Sequence, residues 1–362
     1  MNIEEIKEKY LSEDHAREQS GVIFREDVKG LRYYIRVNEE NRISIAPSVT
    51  SIISCTRPLA RHLIDWMIRN GAEKIEWFKE QSANYGTFIH VVFSEILCGK
   101  TYELNKDSLL EKMKVWFLSY QYDFDECMKW YKMEKRDIQK DVYSFMCWVR
   151  DFEIEPVAIE YILMSPVRKT FFCRDENTEE KNRLKSADSM GCMNEKEKRN
   201  CSECEQAVAI NDMAGAIDLV CLARLKKDQE KQRIIVDWKT GLKGFYDEHA
   251  IQLRMYREMW NMENPDYPIE KIYNFAPKGY RLPLGKTVIP YSFKNQTSNK
   301  DKNLWNLYIE IFHRQEKYFD FSAKTTFADI EISCGMDLND DVFVANDIFQ
   351  EVIEYMSQRG EF

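Results

Sequence analysis

Four short patterns in this sequence carry groups that suit metal-assisted hydrolysis. They are Gly86-Thr87-Phe88-Ile89-His90, Gly215-Ala216-Ile217-Asp218, Asp237-Trp238-Lys239 and Gln252-Leu253-Arg254-Met255-Tyr256, in that order. Side chains alternate along a strand, so Asp237 and Lys239 leave one face while Trp238 leaves the other and packs under a helix. The short charged connection at 226–232 suits a hairpin that sets Asp218 beside Asp237. Two carboxylates on adjacent strands invite a hard divalent cation. Such a cation polarises a phosphate oxygen and lowers the pKa of bound water. An ammonium beside it orients the attacking water and offsets charge in the transition state. His90, from another helix, adds a nitrogen ligand that fits Mn²⁺ as well as Mg²⁺. Gln252 and Tyr256 are one helical turn apart and share a face, so both can reach the phosphate or the lysine. His249 lies on that face too and is a candidate phosphate contact.

The elements that must position these groups follow from the pattern of apolar residues. A short helix is expected near residues 2–13, then a β-hairpin over 21–45 with Gly30 at its centre. Pro47-Ser48 opens a helical run, and a second follows Pro58 with Leu59, Leu63, Trp66 and Met67. Phe88, Val91, Val92, Ile96 and Leu97 belong to another helix. The stretch 106–152 reads as helical throughout, with Ile138, Val142, Phe145, Met146 and Val149 as one apolar stripe. After Pro156 strands are expected at 157–163, 214–222 and 233–238, a helix at 247–259 and a strand at 271–276. Trp305, Leu307, Ile309, Ile311 and Phe312 make the face of a C-terminal helix. A polar segment at 175–205, between the first two of these strands, reads as an insertion.

In this context the four patterns resemble the RecB-type branch of the PD-(D/E)XK nucleases, which includes recombination, CRISPR-associated and phage exonucleases. The resemblance covers about residues 44–280. It implies an α/β fold with a mixed central β-sheet flanked by helices, the restriction-endonuclease-like core. It implies that His90, Asp218, Asp237 and the backbone carbonyl of Trp238 hold Mg²⁺ or Mn²⁺, and that Lys239 is the catalytic lysine. Gln252 and Tyr256 fall in the motif that follows the catalytic strand, and Glu160 falls where an accessory acidic residue is often found. The chain then divides into an N-terminal helix and hairpin (1–45), a nuclease core (46–290) carrying a helical subdomain at about 100–155, and a helical extension (291–362). The activity implied is metal-dependent DNA hydrolysis, of the exonuclease or end-processing kind. DNA is the partner, with a helicase or a recombination or replication protein alongside it. The competing readings are a DNA-binding or scaffold component with weak catalysis, and a nuclease acting on RNA or on particular structures.

Composition bounds these readings. Hydrophobic residues make up 44% and charged residues 31% of 362 positions, as expected of a folded chain and not of a disordered one. A net charge of -9 argues against a protein that coats nucleic acid and is compatible with basic groups confined to one groove. Lys271, Lys278, Arg281 and Lys286 form a local positive stretch where a DNA backbone would pass. No apolar run is long enough to cross a bilayer, no signal-peptide pattern opens the sequence, and the cytoplasm is the expected compartment. Ten cysteines in such a chain read as free thiols. Only Cys334 follows Tyr256, which argues against the iron–sulfur cluster of some relatives. Cys173, Cys192, Cys201 and Cys204 surround the polar insertion and are candidates for a structural zinc site.

Overall fold

The computed structural model of the chain describes residues 22–28, 31–37, 43–57, 61–173, 184–186, 207–226, 230–241, 244–278, 291–297 and 304–314. Within these residues the protein is α/β, with eight helices and two mixed sheets. The helix expected at 2–13, most of the polar insertion and the chain after 314 lie outside the described residues.

The site is organised by a five-stranded sheet. Its strands are β4 (Glu155–Met164), β8 (Ala214–Ala223), β9 (Gln232–Trp238), β10 (Lys271–Pro277) and β11 (Tyr291–Asn295), in the spatial order β11-β10-β9-β8-β4. β8 and β9 form the antiparallel hairpin that the short charged connection implied. β9 and β10 are parallel, so the chain must cross over between them, and it does so through helix α7 (Asp247–Glu263). Both faces are covered. Ile234, Val236 and Trp238 of β9 enter one apolar cluster with α3 (Ala72–Leu97), α4 (Lys106–Ser119), α5 (Phe124–Met133) and α6 (Ile138–Asp151). Ile235 of the same strand enters the other, with α1 (Val49–Thr56), α7 and α8 (Leu304–Arg314). The odd–even split along one strand is the period of two that the sequence of β9 encodes.

A second, six-stranded sheet stands on the α7 side. It runs β1 (Val22–Val28), β2 (Leu31–Val37), β3 (Ile43–Pro47), β7 (Ala207–Asn211), β5 (Val167–Cys173) and β6 (Leu184–Ser186) in space. The hairpin read around Gly30 is β1–β2. A mixed sheet flanked by helices and a separate N-terminal hairpin were expected; that the hairpin belongs to a second sheet was not foreseen. Its strands β5, β6 and β7 border the polar insertion, where short strands carry too few residues for alternation to show. The hairpin joins the rest through the parallel pairing of β3 with β7, a contact between positions far apart in sequence.

Helix starts follow local chemistry. Ser48, Asn105, Asp123 and Asp137 each accept a backbone N–H of the first turn of α1, α4, α5 and α6. Two expected apolar stripes need correction. On α6 Ile138, Val142 and Phe145 are buried, but Met146 is exposed and Trp148 is buried in its place. On α8 Ile309 and Phe312 are buried while Leu307 and Ile311 face outward. In both, the buried face is set by which side meets neighbouring elements and not by apolar content.

Candidate metal centre

The three central strands bring the acidic residues together by register. Leu219 pairs with Val236, so the next step along the hairpin sets Asp218 opposite Asp237. Ile159 pairs with Leu219 and Tyr161 with Ile217, which sets Glu160 opposite Asp218. Glu160 itself adopts φ +48°, in the left-handed region. That conformation costs a residue with a Cβ roughly 1–2 kcal/mol. Strain of this kind concentrates at functional sites.

His90 reaches this point from α3. Its Nδ1 lies 3.2 Å from Glu160 Oε1 and 3.7 Å from Asp218 Oδ1, and its ring stands edge-on to Trp238 at 5.3 Å. Ligating atoms of His90, Glu160 and Asp218 all lie within 4.8 Å of one another. Ligands on opposite sides of a cation with metal–oxygen distances of about 2.0–2.6 Å are separated by about 4–5 Å, so one nitrogen and two carboxylate oxygens at this spacing fit a single Mg²⁺ or Mn²⁺. The other oxygen of Asp218 accepts the backbone N–H of Trp238 at 2.5 Å, which fixes the carboxylate's orientation.

Asp237 has different company. Its side chain is 2% exposed, Oδ1 is 2.8 Å from Lys239 Nζ, and Oδ2 accepts from Asn274 Nδ2 at 2.6 Å. Asn274 is the parallel partner of Asp237 on β10, and its own oxygen accepts from Gln296 at 2.7 Å. Lys239 continues the chain to Gln252 Oε1 at 3.1 Å, and Gln252 Nε2 donates to Tyr256 OH at 2.9 Å. The glycine of the Gly215-to-Asp218 pattern has a steric reason. A Cβ at Gly215 would stand 2.6 Å from the Tyr256 ring.

Burial and like charge shape the titration of the group. Burial pushes Asp218 up to about 6, against the pull of His90. It also pushes Asp237 up to about 6, against Lys239. For His90 burial acts downward, but the carboxylates of Asp218 and Glu160 outweigh it and raise the pKa to about 9. In the metal-free protein His90 is therefore an imidazolium at neutral pH and offsets the charge of its two neighbours. His249 goes the other way, to about 3, through burial and the nearby Lys239 and Lys294. Its Nδ1 accepts the Tyr246 backbone N–H at the start of α7, so it is a neutral cap.

These groups line one groove of about 1320 Å³. His90, Glu160, Asp218, Asp237, Trp238, Lys239, His249, Gln252 and Tyr256 all border it. The basic stretch fares differently. Lys271 contacts Gln232 at the opposite end of the β9–β10 pair, and the exposed Lys278 does not line the groove. Arg281 and Lys286 lie outside the described residues, as do Cys192, Cys201 and Cys204; Cys173 ends β5. Among the described residues Cys55, Cys98, Cys127, Cys147 and Cys221 are free thiols, and no helix is long and apolar enough to cross a membrane.

Sequence reasoning did not single out Asn274, Gln296 or Arg136. Arg136, on the turn between α5 and α6, is buried; it pairs with Asp141 at 2.8 Å and donates to the Thr240 carbonyl at 2.7 Å. Asn274 carries no motif of its own, and only its pairing opposite Asp237 marks it. No protein-family model matches the chain, and no curated protein matches it significantly.

Proposed function

We propose that this chain is a divalent-metal-dependent deoxyribonuclease that hydrolyses phosphodiester bonds. The five-stranded sheet with its helices is read as the restriction-endonuclease-like core of a RecB-type PD-(D/E)XK enzyme, and its action as exonucleolytic or end-processing. One observation carries the reading. The His90–Glu160–Asp218 trio and the hydrogen-bonded series Asp237–Lys239–Gln252–Tyr256 meet in one groove.

His90, Glu160 and Asp218 would hold the cation, with Asp237 on the neighbouring strand, and the cation would supply Lewis-acid polarisation of the phosphate and a more acidic bound water. The chain's own residues account for the rest. Asp237 and Gln252 each take one hydrogen bond from the Lys239 ammonium. An ammonium has three donors, so one N–H is left to orient water or to steady a phosphate oxygen. Tyr256, fixed by close approach to Gly215, holds Gln252 and so holds the lysine. The Trp238 N–H keeps Asp218 from rotating.

The test is digestion of linear and circular DNA, single- and double-stranded, in Mg²⁺, Mn²⁺ or EDTA, beside Asp237→Ala and Lys239→Ala. Metal-dependent degradation lost in both variants supports hydrolysis, and sparing of circles supports an exonuclease. Intact DNA in every lane with wild-type protein overturns the catalytic reading.

A further inference from the structure

Lys239 follows β9 at the point where the chain turns out of the sheet. Its backbone N–H donates to the Phe275 carbonyl at 2.8 Å, and one residue later the Thr240 carbonyl accepts Arg136 Nη1 at 2.7 Å. Thr240 also rests on α3, because a Cβ at Gly86 would stand 3.0 Å from Thr240 Oγ1. Gly86 lies one helical turn before His90, on the same face. At Gly241 the surroundings are open, and a Cβ there would meet nothing within 4 Å. Arg136 therefore grips the segment that carries the lysine just before it becomes unsupported.

The grip is built from groups that are costly to bury. Arg136 Nη2 pairs with Asp141 Oδ2 at 2.8 Å, and the two side chains are 1% and 0% exposed. The same Oδ2 accepts the Tyr85 hydroxyl of α3 at 2.7 Å, and the guanidinium lies over the Tyr85 ring at 4.7 Å. Asp141 Oδ1 is buried with no hydrogen-bond partner among the described residues, and burial raises the Asp141 carboxyl above its ordinary value despite Arg136. Apolar side chains of similar shape often match or exceed a buried ion pair in stability. Folding alone gives no reason for this pair, whereas its geometry does, since it joins α6, α3 and the end of β9. Of these, α3 is anchored independently. Phe88, Ile89, Val92 and Phe93 are enclosed in the aromatic cluster, and α2 (Arg61–Asn70) packs on its first half with Trp66 edge-on to Phe78 at 5.6 Å.

We propose that the buried Arg136–Asp141 pair is a positioning clamp, which ties Thr240 to α3 through Tyr85 and so sets where the Lys239 ammonium stands relative to His90 and the carboxylates. This rests on the hydrolytic reading and deepens it. Arg136 is a positioning residue that acts through Lys239, and the helical subdomain thereby takes part in the geometry of the site.

The experiment compares the full chain with two variants. Tyr85→Phe/Arg136→Met/Asp141→Leu makes the clamp apolar, and Arg136→Lys keeps the charge but loses the planar fork that spans Asp141 and Thr240. The first readout is amide hydrogen exchange in EDTA. The triple variant should melt no lower than wild type. It should exchange residues 237–241 at least about tenfold faster and keep wild-type rates in β8. Arg136→Lys should shift the same way by a smaller factor, and it decides alone if the triple variant does not fold. The second readout is cleavage of linear DNA in Mn²⁺. There kcat should fall about a hundredfold in the triple variant, while KM and Mn²⁺ affinity stay within about threefold of wild type. Unchanged exchange over 237–241 in a folded variant overturns the clamp, as does a wild-type kcat beside faster exchange. A joint fall of melting point, Mn²⁺ affinity and kcat also overturns it, because Arg136 would then only hold the fold. Wild-type protein that cleaves no DNA in any metal removes the hydrolytic reading, and faster exchange in the variants would still support the clamp on the Lys239 segment.

Discussion

The two faces of the five-stranded sheet are built from the same strands and do opposite things. On the α3–α6 face Trp238, Phe93, Phe145, Trp148 and Phe275 interlock, with Phe93 and Phe145 stacked at 3.9 Å and Trp238 edge-on to both. On the α7 face the neighbouring positions of β9 and β10 carry Asp237, Lys239 and Asn274, joined to Gln252 and Gln296 by hydrogen bonds. Aromatic packing needs no charged partner and is not strained by burial, whereas Asp237 on the other face is buried at a cost and kept there by Lys239 and Asn274. The difference indicates a division of labour. One face fixes the strands, and the other uses that rigidity to hold groups that would otherwise separate. His90 links the two, because α3 packs on the aromatic face while His90 contacts the carboxylates.

The comparison breaks most visibly in activity. Asp237→Asn should lower DNA cleavage in Mn²⁺ by at least about a hundredfold, about 2.7 kcal/mol of barrier. Its thermal midpoint should be no lower than that of wild type, because a carboxyl raised to about 6 is held charged at neutral pH against burial. A midpoint that falls along with activity would place Asp237 on the structural side of the division. The converse substitution, Trp238→Ala, should cost about 3–5 kcal/mol of stability in denaturant unfolding. A loss below about 1 kcal/mol would show that the aromatic face does not hold β9.

Metal sharpens the contrast further. Mn²⁺ at about a hundred times its dissociation constant should stabilise wild type by about 2.7 kcal/mol. Glu160→Gln and Asp218→Asn should lose most of that gain in calorimetry, while Phe93→Leu should keep it from a lower starting point. If Glu160→Gln gains as much as wild type, Glu160 is not a ligand. In metal-free protein Glu160→Gly should add about 1 kcal/mol by relieving the left-handed backbone.

A change confined to acid pH concerns His249. Its folded pKa, about 3, lies below the unfolded value near 6.5. The unfolded chain therefore binds more protons between those values. The stability contributed by neutral His249 is complete above about pH 6.5 and is lost as pH falls toward 3. His249→Gln should flatten that part of the pH–stability curve. An unchanged slope would mean that His249 is not the neutral cap of α7.

By itself the sequence determined the local matters. Alternation around Asp237-Trp238-Lys239 placed the charged pair on one face and the tryptophan on the other, because a strand's period is two whatever surrounds it. The short charged link set Asp218 opposite Asp237, and one helical turn put Gln252 beside Tyr256. These relations span few residues and rest on backbone geometry. Tertiary structure decided what needs distant partners. It turned Asp237 toward Lys239 and Asn274 and put Glu160 beside Asp218 and His90 in the candidate ligand trio, because only the β4–β8 register brings Glu160 beside Asp218. It also split the strands into two sheets, moved Lys271 away from the site and exposed Met146, Leu307 and Ile311. An apolar pattern says that a face can be buried, and only the packed neighbours settle which face is.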